Sequence, residues 1–367
     1  QETTGRIGLD WQINDQTMVY GFFTRGYKPG GFNPPQNADL ATESVKYIFD
    51  SEQVDAYEIG AKNVFRDGTL MVNAAAFMYD YGGLQTTRIR NNNSINDNID
   101  AQIMGLELEV FWQPEWAPGL SIDASYAYLK AEVDGSTSLD PLNRTAGNPD
   151  FITLKNIDPG SSTGVNYVAR VNGTGRITDA IINAGYAGCG ALSSLNPNAA
   201  CPAVTSGTTY TGISGLTQEL PAYFSRSFLA SQGVEVSDGF NVDLDGNSLP
   251  NAPENTFHLG AAYTWQIDQI AGALTARWDY SWRDDQYARE FNTKGDFIEA
   301  WFQHNAALIY ESNDGHWEGR LWIRNILNDD NITGKYLTSD TSGFFRNYFL
   351  TEPRLFGASL KYSFGEQ

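Results

Sequence analysis

Short turns and long connections alternate without exception along this chain, and few folds tolerate that order. The short turns fall near Asn14, Asp67, Pro114, Asp268 and Asn313. The long connections span about 28–52, 91–98, 133–253, 284–296 and 328–350. Between them lie about eleven runs in which apolar and polar residues alternate, the mark of strands with one apolar face. In an up-and-down sheet this parity gathers the short turns at one rim and the long loops at the other, as in outer-membrane barrels. A soluble sandwich accounts for the alternating residues but not for the parity of the connections. The expected fold is therefore all-β: an antiparallel up-and-down transmembrane β-barrel.

The hairpin at 53–81 shows the pattern at its longest. Arg66-Asp67-Gly68 joins two runs, and an Asp-Gly pair between patterned runs is a strong turn signal. Tyr57, Ile59, Ala61 and Phe65 alternate with Glu58, Gly60 and Lys62. A tilted strand that crosses a bilayer needs roughly 9–11 residues, more than most soluble strands hold. The parity places Asp67 at the periplasmic rim and Tyr57, Ile59 and Ala61 against lipid. The returning run is ambiguous: Leu70, Val72, Ala74 and Ala76 share one face, yet Phe77, Tyr79 and Tyr81 have the opposite parity. Either those aromatics point into the lumen or a bulge near Ala75 switches the faces. Elsewhere aromatic residues gather near strand ends, as Tyr126 with Tyr128 and Trp278 with Tyr280 and Trp282, where headgroup girdles need them.

Composition narrows the partners. A net charge of -20 argues against nucleic acid. No apolar run approaches the length of a membrane-spanning helix, a test that strands escape. The strand count is odd, whereas single-chain bacterial barrels have an even number. With no Met or signal-like segment at Gln1, the expectation is the C-terminal portion of one larger barrel domain covering 1–367, with a long extracellular loop at about 133–253.

Several residues are candidates for sites. Cys189 and Cys201 lie in a polar loop with no His nearby, which favours a disulfide in an oxidising compartment over a metal site. Asp243, Asp245, Asn247 and Glu254 have the oxygen spacing of a calcium loop, but Ser248 occupies the position that calls for Gly and no helices flank it; a solvated loop is the alternative. His258, His304 and His316 form no H-E-x-x-H pair. Glu107 and Glu109 share a face that would line the lumen, so no acid/base pair and no catalytic residue is assigned. Tyr27, Phe32, Arg88, Arg90, Tyr287 and Arg289 lie near the long-loop ends of their strands, where they form either a ligand vestibule or an ordinary polar rim.

Several stretches resemble the TonB-dependent outer-membrane receptors: Tyr20 to Asn33, Ala56 to Gln85, Gly105 to Glu109, Leu249 to Glu254, Trp322 to Leu327 and Pro353 to Gly357. The resemblance implies half of a 22-stranded barrel, with an N-terminal plug and a TonB-contacting segment that no residue here matches. It implies a receptor of the Gram-negative outer membrane, not an enzyme and without a cofactor. Such a receptor imports a scarce small molecule: a siderophore–metal chelate, a cobalamin-like compound or an oligosaccharide. Its partners are outer-membrane lipid and the TonB protein. The competing reading is a passive porin-like channel or a structural or adhesive barrel.

Overall fold

Alternating faces and tight hairpins produce one continuous meander. The computed structural model describes residues 2–34, 46–90, 93–157, 164–184 and 226–364. Its main sheet holds eleven strands, each hydrogen-bonded to the next in chain order and all antiparallel. These are β1 (Gly5–Asn14), β2 (Thr17–Lys28), β3 (Glu52–Phe65), β4 (Leu70–Arg90) and β5 (Asn93–Trp112). They continue as β6 (Leu120–Val133), β7 (Asn255–Ile267), β8 (Gly272–Arg283), β9 (Trp301–Ser312), β10 (Trp317–Arg324) and β11 (Leu355–Tyr362). β1 pairs only with β2 and β11 only with β10, so the sheet is open.

Loop parity holds. Backbone bonds tie each short turn to its neighbour along one rim: Val64 N to Gln16 O, Gln113 N to Thr69 O, Thr264 N to Gly119 O and Asn313 N to Ala271 O. Asp67 and Asp314 therefore share that rim.

The two faces differ in chemistry. One carries Ile7, Leu9, Ile59, Leu106, Leu321, Phe356 and Leu360, all exposed; Ile59 is 67% and Leu106 54% accessible. Such a continuous exposed apolar band calls for an apolar solvent. Aromatic pairs edge it near the short turns, with Tyr263 against Trp265 and Trp317 against Tyr362, both at 4.7 Å. Toward the long loops Phe23 meets Tyr57 at 5.0 Å and Tyr280 meets Phe302 at 6.0 Å. His304 belongs to this second belt, stacked on Trp278.

The opposite face is polar. Tyr20 donates to Glu58 at 2.8 Å, and Arg277 bridges Asp123 and Asp279 beside His258. Phe77, Tyr79 and Tyr81 lie on this inner side with Glu58 and Glu107, because the β3–β4 register runs unbroken past Ala75. The alternative, a bulge near Ala75, is absent; the register shift falls later, between Tyr81 and Leu84. Gly83 takes φ +69° there and donates its N–H to Asp100, a conformation that L side chains rarely adopt.

The stretch 91–98 departs from its expected role as a long loop. From Asn93 onward it is strand, pairing Arg88 with Ile95 and Leu84 with Ile99. Its run of Asn and Ser residues has turn composition, but Ile95 and Ile99 are buried and tertiary contacts hold the rest. Asn33 bonds both the N–H and the C=O of Asn96, and Asn98 accepts the Asp50 N–H.

Inner aromatic rings also explain one glycine. A Cβ on Gly60 would lie 2.5 Å from Cζ of Tyr20, whose hydroxyl is held by Glu58. Gly60→Val should therefore lower stability by about 1–3 kcal/mol through overpacking. Gly82→Ala, where a Cβ meets nothing within 4 Å, should cost much less. Denaturant unfolding of both variants from lipid vesicles checks the difference; equal midpoints would refute the ring contact.

Buried apolar clusters lie at the long-loop rim. One joins Ile99, Ala101, Ala131 and Val133 to Leu244 and Leu249, where the chain at 244–249 folds back along the end of β6. The other lies within the long segment between β6 and β7, which contains a small folded unit. There strands Phe151–Ile157 and Gly164–Arg170 pair, and Leu154, Tyr167, Ala169, Leu229 and Val234 pack together.

Candidate functional site

Three long connections meet above the inner face and enclose a cavity of about 390 Å³. β4 is 21 residues long, roughly twice what a bilayer requires, and so carries Thr86, Thr87 and Arg88 up to the cavity wall. The segment after β6 adds Leu139, Pro141 and Arg144. The connection after β8 adds Arg289, Glu290 and Phe291, and the one after β10 adds Lys335, Tyr336, Asp340 and Phe344.

Buried charges knit these segments together. Asp340, 3% exposed, accepts from Arg144 Nη2 at 3.1 Å and from the Asn166 N–H at 2.8 Å. Its own carbonyl accepts from Lys155 Nζ at 2.5 Å. One residue of the last long connection is thus held by three residues of the long segment after β6. Arg144 also donates Nη1 to the Asp238 carbonyl at 2.9 Å. Burial pushes the Arg144 guanidinium below its usual range, opposed by Asp340, Asp238 and Asp140. Burial likewise lowers Lys155 against the pull of Asp340. For Arg289, burial is outweighed by Asp296, bound in two-pronged fashion at 2.8 Å, and by Asp140, so its pKa is raised.

The predicted site residues divide. Arg88 and Arg289 come together on the cavity wall, each near the Phe291 ring at 5.9 and 5.1 Å. Tyr27 does not line it: it shares the outward face with Phe23 and Arg25 and is exposed. Phe32 is exposed too and packs on Tyr47 at 5.4 Å. Tyr287 packs on Phe297 at 5.5 Å, beside the cavity but not on its wall. Arg90 ends β4, its side chain outside the described residues, where Cys189 and Cys201 also fall.

Among the four calcium candidates, Asp243 accepts the Asp245 N–H, Asp245 accepts the Gly135 N–H and Asn247 donates to the Glu290 carbonyl. Among the described residues no three acidic, His or Cys side chains form a metal cluster. Arg144, Lys335, Asp340 and Phe344 escaped sequence reading. They sit in segments without periodicity, and only the fold brings them together.

This architecture, a transmembrane meander with loops enclosing a cavity at one rim, is that of an outer-membrane receptor barrel. Residues 1–212 match the family described as TonB dependent receptor-like, beta-barrel, and the chain belongs to it. It is 27% identical over 152 residues to the pesticin receptor of Yersinia pestis, a match covering 41% of this chain and 21% of that protein. Its fold is similar to that of the ferric yersiniabactin uptake receptor FyuA from Yersinia pestis, with TM-score 0.57 and 14% identity, covering 99% of this chain and 37% of the other. It is also similar to the siderophore receptor PiuA from Acinetobacter baumannii, with TM-score 0.52 and 14% identity over 97% of this chain and 35% of that one. The matches thus span only 21% to 37% of these relatives' lengths.

Proposed function

We propose that this chain is the C-terminal part of an outer-membrane receptor that captures a scarce small molecule, foremost a siderophore–metal chelate, for TonB-dependent import in a Gram-negative bacterium. The observation that carries this reading is the cavity at the long-loop rim, walled by buried arginines and aromatics. Its size suits a small ligand, and wall residues from separate connections let binding be sensed by several loops. The alternation of faces supports a bilayer setting, with the long loops outside the cell. The disulfide between Cys189 and Cys201 remains part of this proposal for the long loop; near Asp243 a solvated loop is favoured over a bound calcium ion.

The test is uptake of radiolabelled iron chelates by cells with and without the gene, under iron limitation. Uptake should disappear with the gene and with collapse of the proton gradient. Uptake that persists after the gradient collapses, yet still needs the gene, would favour a passive channel.

A further inference from the structure

One histidine stands apart from the other two. His258 on the inner face bonds Ser281 and Asp123, and His316 at the short-turn rim donates to the Ser363 carbonyl at 2.9 Å. The His304 side chain has no hydrogen bond among the described residues, although it points outward in the upper aromatic belt. Three rings pin it: Tyr280 at 5.0 Å, Trp278 at 5.6 Å and Phe302 at 5.6 Å. The Tyr280 hydroxyl and the Trp278 indole N–H likewise meet no protein acceptor among the described residues. Polar groups on a lipid-facing surface cost free energy unless something outside the protein accepts from them.

The belt is uneven, and this sector differs from the rest. In line with Phe23 and Tyr57, β4 and β5 carry Met78 and Met104 in place of rings. The outward charges on that side are matched to each other, Arg25 with Asp55 and Lys130 with Glu132. Arg354, exposed just before β11, is not: no carboxylate pairs with it among the described residues, and Glu352 lies 3.9 Å from Arg324 instead. The alternation that turns Phe356 and Leu360 outward turns Arg354 the same way. Carrying the Ala306–Ile323 and Ile323–Phe356 ladders two residues further places Arg354 level with His304. The Ile326 N–H, bonded to the His304 carbonyl, shows that the first ladder does continue. Two strand spacings, about 10 Å, separate the two residues.

We propose that this sector holds a phosphorylated glycolipid of the outer leaflet, its phosphate oxygens accepting from His304 and Arg354 and its sugar rings lying against Trp278 and Phe302. Guanidinium and imidazole N–H groups suit phosphate oxygens. Indole and phenol groups belong at headgroup depth, where the ring face is apolar and the N–H or O–H end is wet. A span of about 10 Å between the two donors suits joined sugar rings bearing phosphate better than a lone phosphodiester. An uncharged headgroup would leave Arg354 unmatched. The inference rests on the outward face meeting lipid and not on what the cavity captures.

The test is native mass spectrometry of the intact receptor in detergent, titrated with bisphosphoryl lipid A, its monophosphoryl form and phosphatidylglycerol. Bisphosphoryl lipid A should bind at least about tenfold more tightly than phosphatidylglycerol, which has charge but no sugar rings, with the monophosphoryl form between them. His304→Phe keeps a ring in the cluster and loses the donor. It should weaken bisphosphoryl lipid A binding by about tenfold, as should Arg354→Gln. Tyr57→Phe, in the other sector of the belt, should change nothing. Near-UV circular dichroism establishes that each variant is folded. Equal or tighter binding of phosphatidylglycerol overturns the proposal, as does undiminished lipid A binding by either folded variant. So does an equal loss in Tyr57→Phe, which would mark a uniform belt. Absence of lipid selectivity with energised uptake intact would sink the site and spare the receptor reading. Lipid selectivity without gene-dependent uptake would do the reverse.

Discussion

Replacing Asp340 by alanine should loosen the whole long-loop assembly. The substitution leaves Arg144 buried, with Asp340's carboxylate gone and the Asn166 N–H without its acceptor. Breaking a buried pair from one side costs about 3–5 kcal/mol, because the remaining charge stays desolvated. The loss should be local, since the strands below bond one another independently of Asp340. Hydrogen exchange should therefore speed up by roughly a hundred-fold or more in 137–157 and 332–350, while β5 and β6 stay protected. Asp340→Asn, which keeps an acceptor but loses the charge, should show a smaller effect. The double variant Arg144→Met/Asp340→Leu should regain much of the protection, since an apolar pair removes the stranded charge. Unchanged exchange in both segments of Asp340→Ala would show that the clasp holds nothing.

The second large effect tests which face meets lipid. Leu106 points outward from β5 and is flanked across the sheet by Ala76 and Tyr128. Leu106→Arg should cost about 2–4 kcal/mol if it lies near the bilayer midplane, measured as the change in unfolding free energy from lipid vesicles. Its neighbour Glu107 points to the polar inner face, near Tyr20 and Tyr79. Glu107→Arg should cost far less, because that face already accommodates charge. If the two variants lose equal stability, or Glu107→Arg loses more, the faces are assigned the wrong way round.

The eleven-strand meander was legible because period-two alternation and turn residues are local signals. Asp67 is a clear case: its left-handed φ of 53° suits the Asp-Gly turn that the residues announce. The start of β5 was not legible. Asn-rich composition reads as a loop, and only burial of Ile95 and Ile99 beneath other segments makes it strand. The inward direction of Phe77 and Tyr79 was one of two open readings, and the unbroken register with β3 decided it.

The site divided along the same line. Arg88 and Arg289 could be proposed from their positions at strand ends, since strand parity fixes which rim a residue reaches. Tyr27 could be placed at that rim too, but its outward face was set by pairing with Gln53 beside the Arg25–Asp55 bridge. Arg144, Lys335 and Asp340 are brought together by the fold of long segments that carry no periodic signal. Sequence alone determined the strands, their order and the rim for each loop, because hydrogen-bonded hairpins propagate from local pattern. Tertiary structure alone decided which loop residues meet over the cavity, because partners far apart in the chain fix those contacts.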